Sequence, residues 1–127
     1  MDFPNGLKYT KDHEWIDTSS ASISVGVTAY AVDQLGDIVH VELPNVGEQF
    51  EAGAAFGTIE STKTVSDLYM PVAGKVVEVN KAAVANPQSL QDDPYKTGWL
   101  VKIEAKNKAE ITGLLDAKAY QHFVAEA

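Results

Sequence analysis

Apolar and polar positions alternate along most of this chain, and the alternation stops at a small set of turn residues. Residues 22–27 show it most cleanly. Ile23, Val25 and Val27 share one face while Ser22, Ser24 and Gly26 share the other, the period-two signature of a half-buried strand. Leu7-Lys8-Tyr9 and Trp15-Ile16 read as shorter strands on either side of the polar stretch 10–14. Residues 38–43, 76–79 and 99–103 predict three more. Thr28 is placed to cap a short helix, with Val27 and Val32 as a hydrophobic staple and Leu35 one turn further on. Gly36 then takes the position of a left-handed C-terminal cap. Residues 80–90 are Ala-rich, and Pro87 predicts the start of a helical turn. Turns follow at 92–95 and 97–98, and residues 106–110 read as a polar connector. Asp116 is an N-cap, Leu115 and Tyr120 its staple, and Tyr120, Phe123 and Val124 the apolar stripe of a C-terminal helix.

A short repeat runs through the middle. Leu43-Pro44-Asn45-Val46-Gly47 and the residues to Ala52 match Met70-Pro71-Val72-Ala73-Gly74 and the residues to Val79 in their apolar, Pro, Gly, charged and Glu positions. Coincidence accounts for so short a pattern; so do two similar half-sheets related by a pseudo-two-fold and packed face to face around one core.

Between the two copies lies the stretch 57–76. Phe56 and Ile59 lead into the polar run Glu60-Ser61-Thr62-Lys63-Thr64, and Val65 and Leu68 resume the apolar signal. This predicts a β-hairpin with Lys63 at or near its tip, although the link holds no Asn-Gly or Asp-Gly pair. Lys63 is the only lysine or arginine between Lys11 and Lys75, with small hydroxylated neighbours. One reading is a solvated residue that keeps a sheet soluble. The other is an attachment point, where an amide at the amine lengthens a flexible side chain and cancels its charge.

The chain has 127 residues, enough for one domain and its core but not for two. Apolar residues make up 45% and charged ones 22%, which excludes disorder by composition. The net charge of -8 disfavours nucleic acid and anionic membrane as partners and suits docking onto basic patches. Cysteine is absent, so any sulfur redox chemistry has to come from a cofactor. No secretory, transit or membrane-spanning pattern is present. That fits a cytoplasmic protein if bacterial, or a mature mitochondrial matrix form if eukaryotic.

The run Glu60-Ser61-Thr62-Lys63, followed by Ser66-Asp67 and Pro71-Val72-Ala73-Gly74, resembles the lipoyl-lysine region of the glycine cleavage system H proteins. That family has Glu-Ser-Val-Lys-Ala there, so Thr62 and Thr64 depart mildly. The resemblance covers nearly the whole chain. It includes His13-Glu14-Trp15, Leu35-Gly36-Asp37-Ile38-Val39, Val41-Glu42-Leu43-Pro44, Glu78-Val79-Asn80, Asp93-Pro94-Tyr95, Gly98-Trp99-Leu100 and Leu114-Leu115-Asp116-Ala117 with Tyr120. Lipoyl and biotinyl carrier domains of other complexes resemble the centre only and place other residues around the lysine.

The resemblance implies a mainly β fold, a barrel-sandwich hybrid of two small antiparallel sheets with a few short helices, including a C-terminal one. It implies one lipoyl-carrier domain over 1–127, with a core from about 22 to 104 and a helical segment from about 110 to 126. Lipoate would be amide-linked to Lys63. The chain would be a monomeric carrier, not an enzyme. It would take an aminomethyl group from glycine decarboxylase to an aminomethyltransferase and its dithiol to dihydrolipoamide dehydrogenase, after modification by a lipoylating enzyme. Glu14 and Asp67 match acidic positions that the family uses near the loaded arm, and Asp12 stands where relatives often have serine. For all three, ordinary surface acidity is the competing reading. Two rival functions stay open, a carrier for another pathway and an H-like binding or lipoate-relay module.

Other candidates carry less. His13, His40 and His122 have no metal-ligand spacing, and no serine or cysteine nucleophile pairs with His13. Trp15 and Trp99 read as core anchors. Gly53 and Gly57 lack the following helix that a phosphate loop needs.

Overall fold

The computed structural model describes residues 3–126. Among these residues nine strands form two antiparallel sheets, and short helices fill the connections. The first sheet holds six strands. They are β1 (Lys8–Tyr9), β2 (Glu14–Asp17), β3 (Ile23–Val27), β5 (Gln49–Phe50), β8 (Gly74–Val79) and β9 (Val101–Ala105), in the order β1-β2-β3-β9-β8-β5. The second holds β4 (Ile38–Glu42), β6 (Ala55–Ser61) and β7 (Val65–Tyr69), in that order. The fold class expected from the sequence is therefore observed: mainly β, two antiparallel sheets and a C-terminal helix.

The half-sheets are unequal, which corrects the expectation of two similar ones. The repeat nonetheless has a structural counterpart, because its two copies pair with each other. Gln49 faces Lys75, and Val76 donates its N–H to the Glu48 carbonyl at 2.9 Å. Exchanging each residue for its counterpart in the other copy carries the first pair onto the second. A local two-fold thus runs between β5 and β8 rather than between the sheets.

The main core lies between the sheets and takes apolar side chains from both of them, with Ile16, Val25, Ile59, Leu68, Val76 and Ile103 among its members. Helix α1 (Ala29–Leu35) carries the chain from one sheet to the other. Thr28 caps it as expected, accepting from the Ala31 N–H, and Val32 and Leu35 face the core. Gly36 has the expected positive φ of 83°, but its ψ of -143° lies outside the left-handed helical region. In β4 a register shift between Ile38 and His40 leaves Val39 and His40 both exposed, so the regular alternation breaks there.

A second core sits on the other face of the six-stranded sheet. Tyr9, Trp15, Ala117 and Tyr120 form it beneath α4 (Ala117–Ala125). Tyr9 and Leu115 exchange backbone hydrogen bonds at 2.7 and 2.9 Å, and Asp116 caps α4 through the Ala119 N–H. This second layer corrects the reading of β3 as half-buried: Gly26 is buried because the Trp15 indole lies over it. Trp99 packs against this second core from its edge. It is only partly buried, with the Lys102 ammonium 4.9 Å above its ring.

Asn80 caps α2 (Lys81–Ala85) and α3 (Ser89–Asp92) follows Pro87. The polar connector takes a form of its own, a 3₁₀ segment (Lys108–Gly113) capped by Asn107 through the Ala109 N–H. No helix among the described residues is long and apolar enough to cross a membrane.

Candidate functional site

Lys63 stands exposed at the tip of the β6–β7 hairpin, where the last strand pair is Glu60 with Val65. The turn is closed by a side chain rather than by an Asn-Gly pair. Ser61 is buried, and its Oγ accepts from the N–H groups of both Lys63 and Thr64 at 3.2 Å. The Ser61 N–H donates to the Thr64 carbonyl at 2.8 Å, and the Thr62 N–H to the Asp37 carbonyl at 3.0 Å. The backbone of the tip is held from inside and from the α1–β4 corner, while the lysine stem is left outside.

That corner also receives the stem. A Cβ built on Gly36 would stand 3.2 Å from Lys63 Cε and 3.6 Å from its Nζ. Glycine is required at Gly36 by its positive φ, and the lysine side chain that crosses it would have to shift only slightly for a Cβ. The cap pattern signalled the positive φ; nothing in the sequence signals that Lys63 lies across this glycine.

Next to the hairpin opens a cleft of ≈ 270 Å³ between α1, β7 and the turn before β2. Leu35, Ile59 and Leu68 contribute apolar walls, and Asp12, His13, Glu14 and Asp67 contribute polar ones. A shallower hollow bordered by Lys11, Val65 and Tyr69 continues it and shares Asp12, His13, Ser66 and Asp67. Another hollow of ≈ 300 Å³, between β5, β8 and β9, contains none of the predicted site residues.

Glu14 is buried, only 2% exposed. It shares a strand face with Ile16, which belongs to the main core, so its carboxyl is directed between the sheets. There Oε2 accepts from the Tyr69 N–H at 2.8 Å and Oε1 from the Thr10 hydroxyl at 3.3 Å. Burial pushes its pKa up to about 8, the Asp12 charge adding to the rise and the Tyr69 and Thr10 hydrogen bonds opposing it. Burial thus favours the neutral form of this carboxyl. Ordinary surface acidity is therefore excluded for Glu14, whereas Asp12 and Asp67 are exposed.

His13 also lines the cleft, a place its spacing in the sequence gave no reason to expect. Its Nδ1 lies 2.8 Å from the Tyr120 hydroxyl, contributed from α4 more than a hundred residues away. Burial lowers its pKa, with the Asp12 charge opposing.

The model for the glycine cleavage H-protein family matches residues 7–127. The chain belongs to that family. The glycine cleavage system H protein of Bacteroides fragilis is 52% identical over 124 residues, 98% of each chain. That of Symbiobacterium thermophilum is 51% identical over 123 residues, 97% of this chain and 96% of the other. Among solved structures, a crystal structure of a glycine cleavage system H protein from Mycobacterium marinum is similar at a TM-score of 0.85, with 42% identity and 98% of both chains covered.

Of the residues that the family resemblance singled out, Glu14, Asp67 and Asp12 come together at one cleft, and Lys63 stands on the hairpin that borders it. His40 and His122 are exposed and away from that cleft, His40 lying 3.4 Å from Glu42. Ser61, Gly36 and Tyr120 are additions from the structure. For Ser61 a signal existed, a hydroxyl two residues before a turn lysine in a link without Gly or Asn.

Proposed function

We propose that this chain is the lipoyl carrier of a glycine cleavage system, with lipoate joined by an amide to Lys63. The observation that carries the reading is a lysine on a tied backbone, its stem exposed and laid over a glycine, beside a cleft that is apolar on one side and acidic on the other. The group fits these residues. An aliphatic arm matches the Leu35, Ile59 and Leu68 walls, and amide formation removes the lysine charge that those walls would desolvate. Gly36 leaves the stem the room that a Cβ would narrow.

When bound, the lipoyl group supplies a disulfide that takes up an aminomethyl group and a dithiol that is later reoxidised. The chain's own residues hold and shelter the arm. Exposed Asp67 attracts a protonated amine at the arm's free end. Glu14, whose neutral form burial favours, becomes easier to ionise when a cation beside it offsets the desolvation. The apolar walls exclude water from a labile linkage. Partners are glycine decarboxylase, an aminomethyltransferase, dihydrolipoamide dehydrogenase and a lipoylating enzyme, for all of which this chain is a shared substrate rather than a catalyst. Tethering replaces diffusion of the labile group with a high effective concentration. The outer face of β4-β6-β7, with Glu42 and Glu60, suits partners that present basic patches.

The test is intact mass with peptide mapping after incubation with lipoate and a lipoylating enzyme. A lipoyl increment on the Lys63 peptide, absent in Lys63→Arg, is expected; no increment while a control domain is modified would overturn the reading. In the modified and loaded protein, Glu14→Gln with Asp67→Asn should speed hydrolysis of the loaded arm. An unchanged lifetime removes both residues from the site.

A further inference from the structure

His13 is the only described non-glycine residue with positive φ, at 68°. Its N–H donates to the Thr10 carbonyl at 3.1 Å and its carbonyl accepts from the Thr28 N–H at 3.0 Å, so the unusual backbone is held on both sides. Its ring lies against Tyr30 and Phe123, at centroid distances of 4.7 and 5.9 Å, and lines both the cleft and the adjoining hollow.

The hydrogen bonds around it have a direction. Thr28 is fully buried, and its Oγ1 accepts from the Ala31 N–H at 3.2 Å. Its hydroxyl proton then needs an acceptor, and among the described residues the one within reach is the Tyr120 oxygen at 2.8 Å. Tyr120, also fully buried, must place its own proton, and His13 Nδ1 stands 2.8 Å away. Nδ1 therefore accepts, and the imidazole proton resides on Nε2. Nε2 has no protein partner among the described residues, and no buried polar side-chain atom there is left unsatisfied, so this N–H is accessible from outside on a ring that lines the cleft.

We propose that His13 is a contact residue for the arm, offering its Nε2–H to a neutral acceptor atom of the arm, its amide oxygen foremost, with Tyr120 and Thr28 as positioning residues that fix the tautomer. The proposal rests on the carrier reading and divides the cleft by chemistry. The carboxyls of Glu14 and Asp67 take the cationic end, and His13 takes an uncharged acceptor. An N–H donor cannot serve the cation, and an uncharged one adds no repulsion beside it. The ionisable groups around the ring are Lys11, Asp12 and Glu14 on its own segment, Tyr30 on α1, Tyr120 on α4, and Asp67 and Tyr69 on β7.

Long-range 1H–15N correlation spectra of the imidazoles test this, on the unmodified protein and then on the lipoylated protein before and after loading. The expected result is an unprotonated Nδ1 and a protonated Nε2 at His13, with the Nε2 signals shifting when the arm is loaded. His13→Asn keeps a residue type that tolerates positive φ and an acceptor for the Tyr120 hydroxyl, but places no N–H where Nε2 stands. Its loaded arm should hydrolyse roughly five- to tenfold faster, the worth of one hydrogen bond. Tyr120→Phe should yield a mixture of tautomers. A protonated Nδ1 in the wild type overturns the directional chain. Signals that do not move on loading, or a His13→Asn lifetime equal to wild type, overturn the contact alone. If Lys63 takes no lipoate, the carrier reading and the contact fall together, while the tautomer is still read from the unmodified protein.

Discussion

Glu14→Gln should abolish a loss of stability that the wild-type protein undergoes between about pH 5 and pH 8. Glu14 is 2% exposed, and its pKa is raised from 4.5 to about 8 chiefly by burial. In that interval the folded protein keeps a proton that the unfolded chain has already lost. Unfolding then releases a proton, so stability is fully present below pH 4.5 and declines as pH rises through the folded value. At about 1.4 kcal/mol per unit, the loss between pH 5 and pH 8 is on the order of 3 to 4 kcal/mol, a large share of the 5 to 15 kcal/mol typical of a domain.

Glutamine keeps the shape and an acceptor for the Tyr69 N–H. It gives up the longer bond from Thr10, because its amide nitrogen cannot accept the hydroxyl proton. The variant should therefore be less stable than wild type by about 1 kcal/mol at pH 5 and more stable by about 2 to 3 kcal/mol at pH 8. Guanidinium unfolding at unit pH steps measures this, with m-values compared to confirm that the denatured states match. His13, whose pKa is lowered by burial, contributes a slope of opposite sign, but it does so in both proteins and cancels in their difference. Parallel stability curves that never cross would refute the assignment of Glu14 as a protonated acid.

Gly26→Ala puts a methyl 2.5 Å from Trp15 Cε2, and the indole cannot retreat while its Nε1 donates to the Pro94 carbonyl at 2.9 Å. A loss of about 2 to 3 kcal/mol with a shift in tryptophan fluorescence is expected, and retention of the wild-type midpoint would show that the indole is free to move. Asn80→Ala removes donors to the Thr97 and Trp99 carbonyls, at 3.0 and 2.6 Å, and the acceptor that caps α2. Its cost should be about 2 to 4 kcal/mol in the same assay. Ser61→Ala frees the N–H groups of Lys63 and Thr64, so amide exchange at both should accelerate about tenfold and lipoate attachment should slow. Unchanged exchange would mean that the backbone bonds of Ser61 to Thr64 and of Thr62 to Asp37 hold the tip without the Ser61 side chain.

Elements whose signals are local were legible in the sequence. Thr28 and Asp116 each cap the helix expected of them, and the apolar alternation placed β3, β4, β8 and β9 within a residue or two. The hairpin at Lys63 was legible from polarity alone, though its closure by Ser61 was not. What the pattern does not encode is which strand lies beside which. Strand β9 is inserted between β3 and β8, and the two copies of the repeat pair with each other, so the division into six and three strands follows from long-range pairing. The same limit hid the second core. Gly26 reads as the polar side of a strand until α4 folds back and brings Tyr120 against Tyr9, their rings stacked at 4.8 Å.

Glu14 shows why residue type misleads at such a site. A glutamate beside a histidine reads as surface, and Asp12, two positions earlier, is surface. The left-handed residue between them changes the outcome. With His13 at φ 68° the chain turns sharply into β2, so Glu14 starts the strand on the face of Ile16 and enters the core, while the His13 ring stays at the cleft. One backbone conformation thus presents an exposed carboxylate, an imidazole and a buried acid in three consecutive residues. Tyr120 braces the imidazole and Tyr69 the acid, so the polar wall of the cleft depends on α4 as much as on the lysine hairpin. A variant that unseats α4 should therefore disturb His13 before it disturbs Lys63, whose tip is tied to Ser61 and Asp37 within its own sheet and the adjoining corner.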